Sequence, residues 1–250
     1  MASSNPSIEA RGPTVEAHLL GKVEYDACLA LQNRLVFEST GRQDGQITLL
    51  FCEHPLILTV GRRGSWGHIE LSQRELASRQ LRVRWVNHGG ACMVHLPGQL
   101  AVYPIVPLQH HGFSVAGYLD RLQQGIVAAL EELGFAPETR EGRYGVWGRT
   151  GQLVALGVAV KDWTAYHGAV INVSPAMGLF RYVRTDPEGG STMSSLSALR
   201  RQPIRMASVR EALVRHLVSA FECERFHTYA GHALWQELQP NFNPTSLRAI

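Results

Sequence analysis

Three segments of the chain are predicted to be helices, two from apolar residues at helical spacing and one from its first turn. They run from about residue 24 to 37, from 114 to 133, and from 208 to 221. The second is the clearest, because Ser114 can cap its first turn and Gly134 can end its last. In the third, Ser208 and Glu211 have the spacing of a capping box, which predicts that the helix opens at Ser208.

Between these helices the pattern is typical of β-strands, with short apolar and β-branched runs bounded by glycine and proline. His54 and Pro55 separate the first two runs, which predicts two adjacent strands with a tight corner. The strands do not alternate regularly with helices, so we predict an α+β fold with a mixed or antiparallel sheet flanked by helices. The predicted strands cover residues 46–53, 56–61, 81–86, 93–95, 99–106, 144–148, 152–160 and 166–173.

The two ends of the chain differ in character. Residues 1–13 contain Ser, Asn, Pro and Gly without hydrophobic periodicity, which predicts a mobile N-terminal tail. Residues 14–250 can bury one sizeable core, so we expect a single domain there. The chain has no run of the about 18 to 20 apolar residues that span a membrane, and no basic start followed by an apolar run. We therefore expect a soluble, cytoplasmic protein.

Charge and cysteine spacing disfavour several function classes. The formal net charge is +3 with scattered positive residues, so nucleic acid is not an expected partner, whereas an acidic carrier protein is compatible. The four cysteines stand far apart without a Cys-x-x-Cys pair, so neither a zinc site nor a disulfide framework is predicted. The Gly-Arg-Arg-Gly turn at 61–64 lacks the spacing of a phosphate-binding loop. No metal or cofactor is therefore predicted.

The most informative segment is HGGACMVHLPGQLAVYPIVPL, at residues 88–108. Its glycines, histidine and Pro-Gly-Gln fall in the register of a signature that usually reads RGG, then T-x-H-G-P-G-Q, then a strand ending in Tyr-Pro. The segment therefore resembles the lipoyl or octanoyl transferases. EHPLILTVGRRG at 53–64 looks like that family's first hairpin and glycine turn, and the runs at 152–160 and 166–173 look like its paired strands.

The resemblance implies a fold, a reaction and partners. The family's fold is the α/β core shared with lipoate and biotin protein ligases. In its reaction a cysteine thiolate takes octanoate from an acyl carrier protein as a thioester and passes it to a lysine on a lipoyl domain. We therefore expect acyl carrier protein and lipoyl domains as partners, and an octanoyl or lipoyl group as the ligand. The implied pocket residues are His88, Gly89, Gly90, Ala91, Cys92, Met93, Val94, His95, Ala155, Leu156, Gly157, Gly168, Ala169 and Val170.

At the two positions that carry this chemistry in the family, this chain has other amino acids. The lysine of the family's K-I-x-x-x-G strand falls on Gln152, and the cysteine of its Pro-Cys-Gly loop falls on Asp186. Glutamine has no charge to stabilise a thiolate, and aspartate is a weaker nucleophile whose acyl product would be an anhydride that water attacks quickly. Three further positions differ: this chain has His88 where the family has arginine, Met93 where it has threonine, and Leu96 where it has glycine.

Several polar residues have both a catalytic and a structural interpretation. His95 can orient a thioester carbonyl or move a proton, or it can be a structural histidine beneath its glycine loop. For His167 the structural role is favoured. Cys92 is either a relocated nucleophile or a small buried apolar residue, and the second is favoured. A metal site made by His88, Cys92 and His95 is not expected, since strand alternation places His95 on the opposite face from the other two.

Three hypotheses about function follow. The chain is an octanoyltransferase-family enzyme of protein lipoylation with diverged catalytic groups, or a catalytically silent paralogue that binds an acyl chain, a carrier protein or a lipoyl domain. The third is an acyl hydrolase in which Asp186 acts with a histidine, although for Asp186 the role of a turn residue before Pro187 is favoured. A covalent octanoyl adduct, release of octanoate, and binding alone distinguish the three.

Overall fold

Two β-sheets form the centre of the fold in the computed structural model, which describes residues 14–42, 44–186, 192–200 and 202–234. The strands are β1 (Thr14–Lys22), β2 (Ile47–Glu53), β3 (Ile57–Val60), β4 (Arg82–Trp85), β5 (Cys92–His95), β6 (Gln99–Pro107), β7 (Glu138–Arg140), β8 (Arg143–Gly148), β9 (Gly151–Lys161), β10 (Thr164–Asn172) and β11 (Arg225–Ala230). Eight of them form one sheet in the order β11-β1-β2-β6-β10-β9-β8-β7, and the other three form a smaller sheet in the order β4-β3-β5.

Both sheets are mixed. In the large sheet β1 is parallel to β2 and β11, and the remaining neighbours are antiparallel. In the small sheet β3 is parallel to β4 and antiparallel to β5. The predicted α+β class with a mixed sheet and flanking helices is therefore confirmed.

Helices cover both faces of the large sheet. They are α1 (Tyr25–Arg42), α2 (Gln73–Ser78), α3 (Val115–Glu132), α4 (Leu196–Arg200) and α5 (Met206–Ala220), with 3₁₀ turns at Trp66–His68 and Met177–Tyr182. One core lies between the sheet and α3 with α5, where Leu122 and Leu217 are fully buried. A second core lies under α1 and includes Leu31 and Tyr103. Because both faces are covered, all nine residues of β10 are buried, including the polar residues Thr164, His167 and Asn172.

The small sheet has its own core. Leu58 of β3 and Val94 of β5 pack with Leu76 of α2 and with Phe180 of the second 3₁₀ turn. The segment after that turn leads directly to Asp186, so packing of the small sheet helps to fix the position of this residue.

The prediction for α3 is confirmed, whereas the predicted start of α5 is wrong. The Ser114 hydroxyl accepts a hydrogen bond from the Gly117 N–H at 3.0 Å, and Gly134 follows the helix with φ +80°. The cap residue of α5 is Arg205, without a side-chain cap, and the Ser208 N–H already donates to the Arg205 carbonyl at 3.1 Å. The helix starts before Ser208 because Met206 already packs against the core.

The predicted strands are present, but the first two are not neighbours as the sequence suggested. β2 belongs to the large sheet and β3 to the small one, because the chain turns at His54 and Pro55. The strands β1, β7 and β11 were not predicted. The expected tail at residues 1–13 lies outside the described residues, as do residues 187–191 and 235–250. Of the helices described, none is long and apolar enough to cross a membrane.

Candidate functional site

A cavity of about 420 Å³ opens between β9, the first half of α3 and the loop that joins β4 to β5. Its walls combine apolar side chains, such as Leu119 and Leu156, with the three arginines Arg62, Arg63 and Arg143. Both this volume and this mixture are typical of sites for small ligands, whose cavities measure about 300–1,000 Å³.

Backbone hydrogen bonds hold the loop that forms one wall. The glycine turn at 61–64 donates to it three times: Gly61 to the Ala91 carbonyl at 2.8 Å, Arg62 to the His88 carbonyl at 3.0 Å, and Arg63 to the Gly90 carbonyl at 3.0 Å. On the other side the Gly89 N–H donates to the Val158 carbonyl of β9 at 2.9 Å. The loop is therefore fixed between the small sheet and the large one.

Gly157 permits this close approach of the loop to β9. A Cβ atom at Gly157 would lie 2.7 Å from the Gly89 carbonyl oxygen and 2.7 Å from Cε of Met93. Such distances are below van der Waals contact, so only glycine fits without displacing the loop.

Gln152 lies in the cavity wall, in β9, and its backbone ties the neighbouring segment to the site. Its N–H donates to the Thr192 carbonyl and its carbonyl accepts from the Ser194 N–H, each at 2.8 Å. The buried side-chain amide donates to the Val154 carbonyl at 3.1 Å. The segment from 192 to 194 is thereby paired with β9.

Asp186 lies in the same cavity wall, paired with a cation. Its Oδ2 accepts a hydrogen bond from Nη1 of Arg143 at 2.8 Å, and its side chain is only 13% exposed. Asp186 and Gln152, which are 34 positions apart, therefore line one cavity.

The histidines lie behind the loop wall rather than in the cavity lining. The hydroxyl of Thr59 is hydrogen-bonded to Nε2 of His88 at 3.0 Å and to Nε2 of His95 at 3.1 Å. Burial lowers the pKa of His88 and lowers the pKa of His95 well below its ordinary range. Both rings are therefore neutral at physiological pH. The expectation that His88 and His95 face opposite sides is wrong, because His88 precedes β5 and is not part of its alternation.

His167 has an unusual backbone conformation beside this group. Its φ is +58°, in the left-handed region, and its N–H donates to Oε1 of Gln32 at 3.0 Å. Its Nε2 is hydrogen-bonded to Oδ1 of Asn87 at 3.0 Å, and burial lowers its pKa to about 3. Such strained residues concentrate at functional sites, where surrounding contacts hold them.

Cys92 is fully buried in the core of the small sheet. Burial raises the pKa of its thiol to about 11, so it is protonated at physiological pH. The structure therefore gives no support to Cys92 as a relocated nucleophile.

The structure separates the residues predicted for the pocket into two groups. Asp186 and Gln152 line the cavity, whereas His95 does not. Of the predicted binding residues, those that line it are Gly89, Gly90, Ala91, Met93, Ala155, Leu156 and Gly157. The others lie in the histidine group or in the cores behind the cavity, and they are His88, Cys92, Val94, Gly168, Ala169 and Val170.

Several lining residues were not found from the sequence. Arg62 and Arg63 stand in the 61–64 turn, whose place in the resemblance was the available signal. For the others the sequence offers no such signal, because their approach to the cavity depends on tertiary packing. They are Val115, Leu119, Gly142, Arg143, Tyr144, Trp147, Val158, Ala159, Val160 and Thr185.

Comparison with known proteins identifies the family. Residues 24–218 match the lipoyl protein ligase A/B catalytic domain. The chain belongs to this family. It is 35% identical over 202 residues to an octanoyltransferase of Syntrophotalea carbinolica, covering 80% of this chain and 91% of that protein. It is 32% identical over 214 residues to an octanoyltransferase of Chloroflexus aurantiacus, covering 84% and 96%. The resemblance drawn from residues 88–108 is confirmed.

Solved structures of lipoate protein ligases have the same fold. A bipartite lipoate protein ligase from Thermoplasma acidophilum superposes with a TM-score of 0.69 at 12% identity, covering 90% of each chain. A lipoate-protein ligase A bound with ATP superposes with a TM-score of 0.69 at 12% identity, covering 89% of this chain and 92% of that chain. At such low identity these likenesses show the fold alone.

Proposed function

We propose that this member of the family acts in protein lipoylation by binding an octanoyl or lipoyl group in the cavity without forming a covalent acyl intermediate. The observation that carries this proposal is the ion pair of Asp186 with Arg143 in the cavity wall. In the alignment by resemblance, Asp186 takes the place of the nucleophilic cysteine and Gln152 that of the lysine.

The chemistry of these two side chains argues against acyl transfer. A carboxylate whose oxygen accepts a hydrogen bond from a guanidinium has its charge satisfied, which lowers its reactivity toward a thioester. The Gln152 amide is neutral and donates to the Val154 carbonyl, so it supplies no positive charge to the cavity. Neither group provides the activated nucleophile that the family's reaction requires.

The cavity remains suited to an acyl ligand and to an acidic carrier. Met93, Leu119 and Leu156 supply an apolar surface for an alkyl chain. Arg62 and Arg63 lie in the same lining and suit the anionic groups that accompany a carrier-bound acyl chain. These features support acyl carrier protein and lipoyl domains as partners.

The structure does not favour hydrolysis by Asp186 with a histidine. No histidine is among the described residues that line the cavity, and Asp186 is bonded to Arg143 instead. General-base catalysis requires a base within hydrogen-bond reach of the attacking water.

Calorimetric titration with octanoate and with lipoate tests binding. We expect the parent protein to bind at least one of the two ligands. Ala155→Leu should weaken that binding at least tenfold, because the larger side chain occupies the cavity that Ala155 lines. The matched control is Ala77→Leu, the same change on the exposed side of α2, which should bind as the parent does. Equal binding by the parent and Ala155→Leu would contradict the assigned cavity.

The same preparations, incubated with octanoyl acyl carrier protein, test the absence of catalysis. We expect no covalent octanoyl adduct on the protein by intact mass and no free octanoate above the level without protein. Release of octanoate by the parent and its loss in Asp186→Ala would replace the proposal with a hydrolase. An adduct that survives denaturation would replace it with a transferase.

A further inference from the structure

Two cysteines and one histidine from different elements of the fold meet in the core under α1. Cys28 is in α1, Cys52 is near the end of β2, and His54 follows that strand. The Sγ atoms of Cys28 and Cys52 lie 4.0 Å apart, and Sγ of Cys52 lies 3.5 Å from Nε2 of His54. All three ligand atoms lie within 4.8 Å of one another, and all three residues are buried.

We propose that Cys28, Cys52 and His54 form a structural zinc site. The spacing of the cysteines in the sequence did not predict this cluster, because the residues come together only when α1 packs on the large sheet. The cluster is separate from the cavity, since none of the three residues lines it.

The distances fit a tetrahedral zinc ion. With Zn–S of about 2.3 Å and Zn–N of about 2.0–2.1 Å, two bound sulfurs lie about 3.8 Å apart and a sulfur and a nitrogen about 3.6 Å apart. The observed 4.0 Å between Cys28 and Cys52 and 3.5 Å between Cys52 and His54 are both within a few tenths of an ångström of these values. The third pair, Cys28 and His54, is within 4.8 Å, so these two side chains must approach each other by up to about 1.2 Å for zinc to bind all three atoms.

The hydrogen bonding of His54 places the lone pair on the correct nitrogen. Its Nδ1 lies 2.8 Å from the Val23 carbonyl oxygen, which can only accept, so the ring proton is on Nδ1. The lone pair is therefore on Nε2, the atom that faces Cys52. A metal-ligating histidine commonly donates its other N–H to a backbone carbonyl in this way.

Gln32 provides a comparable contact for Cys28. Its Oε1 accepts from the His167 N–H at 3.0 Å, which fixes the orientation of the amide group. Its Nε2 then donates to Sγ of Cys28 at 3.8 Å. Hydrogen bonds from N–H donors stabilise a thiolate ligand, so this contact suits a metal-bound sulfur.

The charge of the site favours a divalent ion. Binding of Zn²⁺ to two thiols releases two protons, and two thiolates with one neutral imidazole then give a site of zero net charge. A neutral site avoids the cost of burying a net charge in the core. The hydroxyl of Tyr103 donates a hydrogen bond to Nε2 of His54 at 2.9 Å, and zinc would replace this hydrogen bond.

The site would link α1 to the large sheet. Cys28 lies on the buried face of α1, whereas Cys52 and His54 belong to the strand and corner that lead to β3. The buried ligands imply that the ion enters during folding, so its binding energy contributes to the stability of the fold.

Metal content tests the proposal. The full chain is produced in medium with added zinc sulfate, purified with a reductant, passed through a column containing EDTA, and measured by plasma mass spectrometry. We expect close to one zinc per chain, and a decrease of at least tenfold in Cys28→Ala and in Cys52→Ala. The matched controls are Cys92→Ala and Cys223→Ala, which remove buried thiols elsewhere and should retain the zinc.

A second measurement keeps the test decisive if the cysteine variants fail to fold. X-ray absorption at the zinc edge of the parent protein should show two sulfur neighbours and light-atom neighbours at about 2.0–2.1 Å. A parent protein without zinc after this preparation would overturn the site, as would zinc without sulfur neighbours. An intact mass that shows Cys28 and Cys52 joined in a disulfide under these conditions would also overturn it.

Discussion

At the scale of single residues, the neighbours of Asp186 and Gln152 decide what these side chains can do. Asp186 is held by Arg143, and the Gln152 amide donates to the backbone of its own strand. Both groups are satisfied by bonds within the protein, which suits a binding wall better than a reacting pair. His95, with its pKa well below the ordinary range through burial, is likewise a neutral structural group behind the wall.

His167 provides a residue-scale prediction about pH. Its folded-state pKa is about 3, below the ordinary value of 6.5, mainly because the ring is buried. The unfolded chain therefore binds this proton below about pH 6.5 while the folded chain does not, so stability is lost as the pH falls from there toward 3. For one such group the free energy of unfolding at pH 5 is lower by about 2 kcal/mol than at neutral pH.

His167→Asn removes this contribution while keeping a residue that tolerates positive φ. Urea unfolding measures the free energy of unfolding at pH 7.5 and at pH 5. The decrease from pH 7.5 to pH 5 should be about 2 kcal/mol smaller in the variant than in the parent. His227→Asn, on the exposed strand β11, is the control and should behave as the parent. An unchanged loss in His167→Asn would contradict the assignment of a buried neutral ring.

At the scale of elements, the cavity depends on the fit of the 88–91 loop between the glycine turn and β9. Gly157→Ala places a methyl group 2.7 Å from the Gly89 carbonyl and from Met93, so the loop must move. We expect a loss of about 1–3 kcal/mol in the free energy of unfolding, as for other overpacked sites, and at least tenfold weaker ligand binding.

The matched control for this change is Gly41→Ala, near the end of α1. A Cβ at Gly41 would meet nothing within 4 Å, so this variant should be unchanged or slightly more stable. Urea unfolding and calorimetric titration measure both effects. If Gly157→Ala matched Gly41→Ala in stability and in affinity, the close contact between the loop and β9 would not control the cavity.

The elements also show which local signals are reliable. Ser114 and Gly134 predicted α3 because caps act through neighbouring backbone groups. The capping box of Ser208 and Glu211 predicted the wrong start for α5. The helix begins two residues earlier because Met206 packs against the core, and tertiary packing overrides a local cap. β11 could not be predicted, since it is exposed and depends on pairing with β1 from the other end of the chain.

At the scale of the whole molecule, the sheet brings together residues that the sequence keeps apart. Periodicity alone predicted the α+β class, but the shared position of Gln152 and Asp186 followed only from the resemblance. Arg143 was missed, because its pairing with Asp186 depends on how β8 and the segment after the second 3₁₀ turn approach each other. The Cys28 and Cys52 cluster was missed for the same reason.

The central proposal is that this chain has the scaffold of its family and an acyl-binding cavity but lacks the groups that transfer the acyl chain. Its most direct test is the intact mass of a purified lipoyl domain after incubation with octanoyl acyl carrier protein. The domain is incubated with the parent protein and, separately, with the double variant Asp186→Cys, Gln152→Lys. We predict no octanoylated domain with the parent and a mass increase of one octanoyl group with the double variant. Octanoylation of the domain by the parent protein would contradict the account.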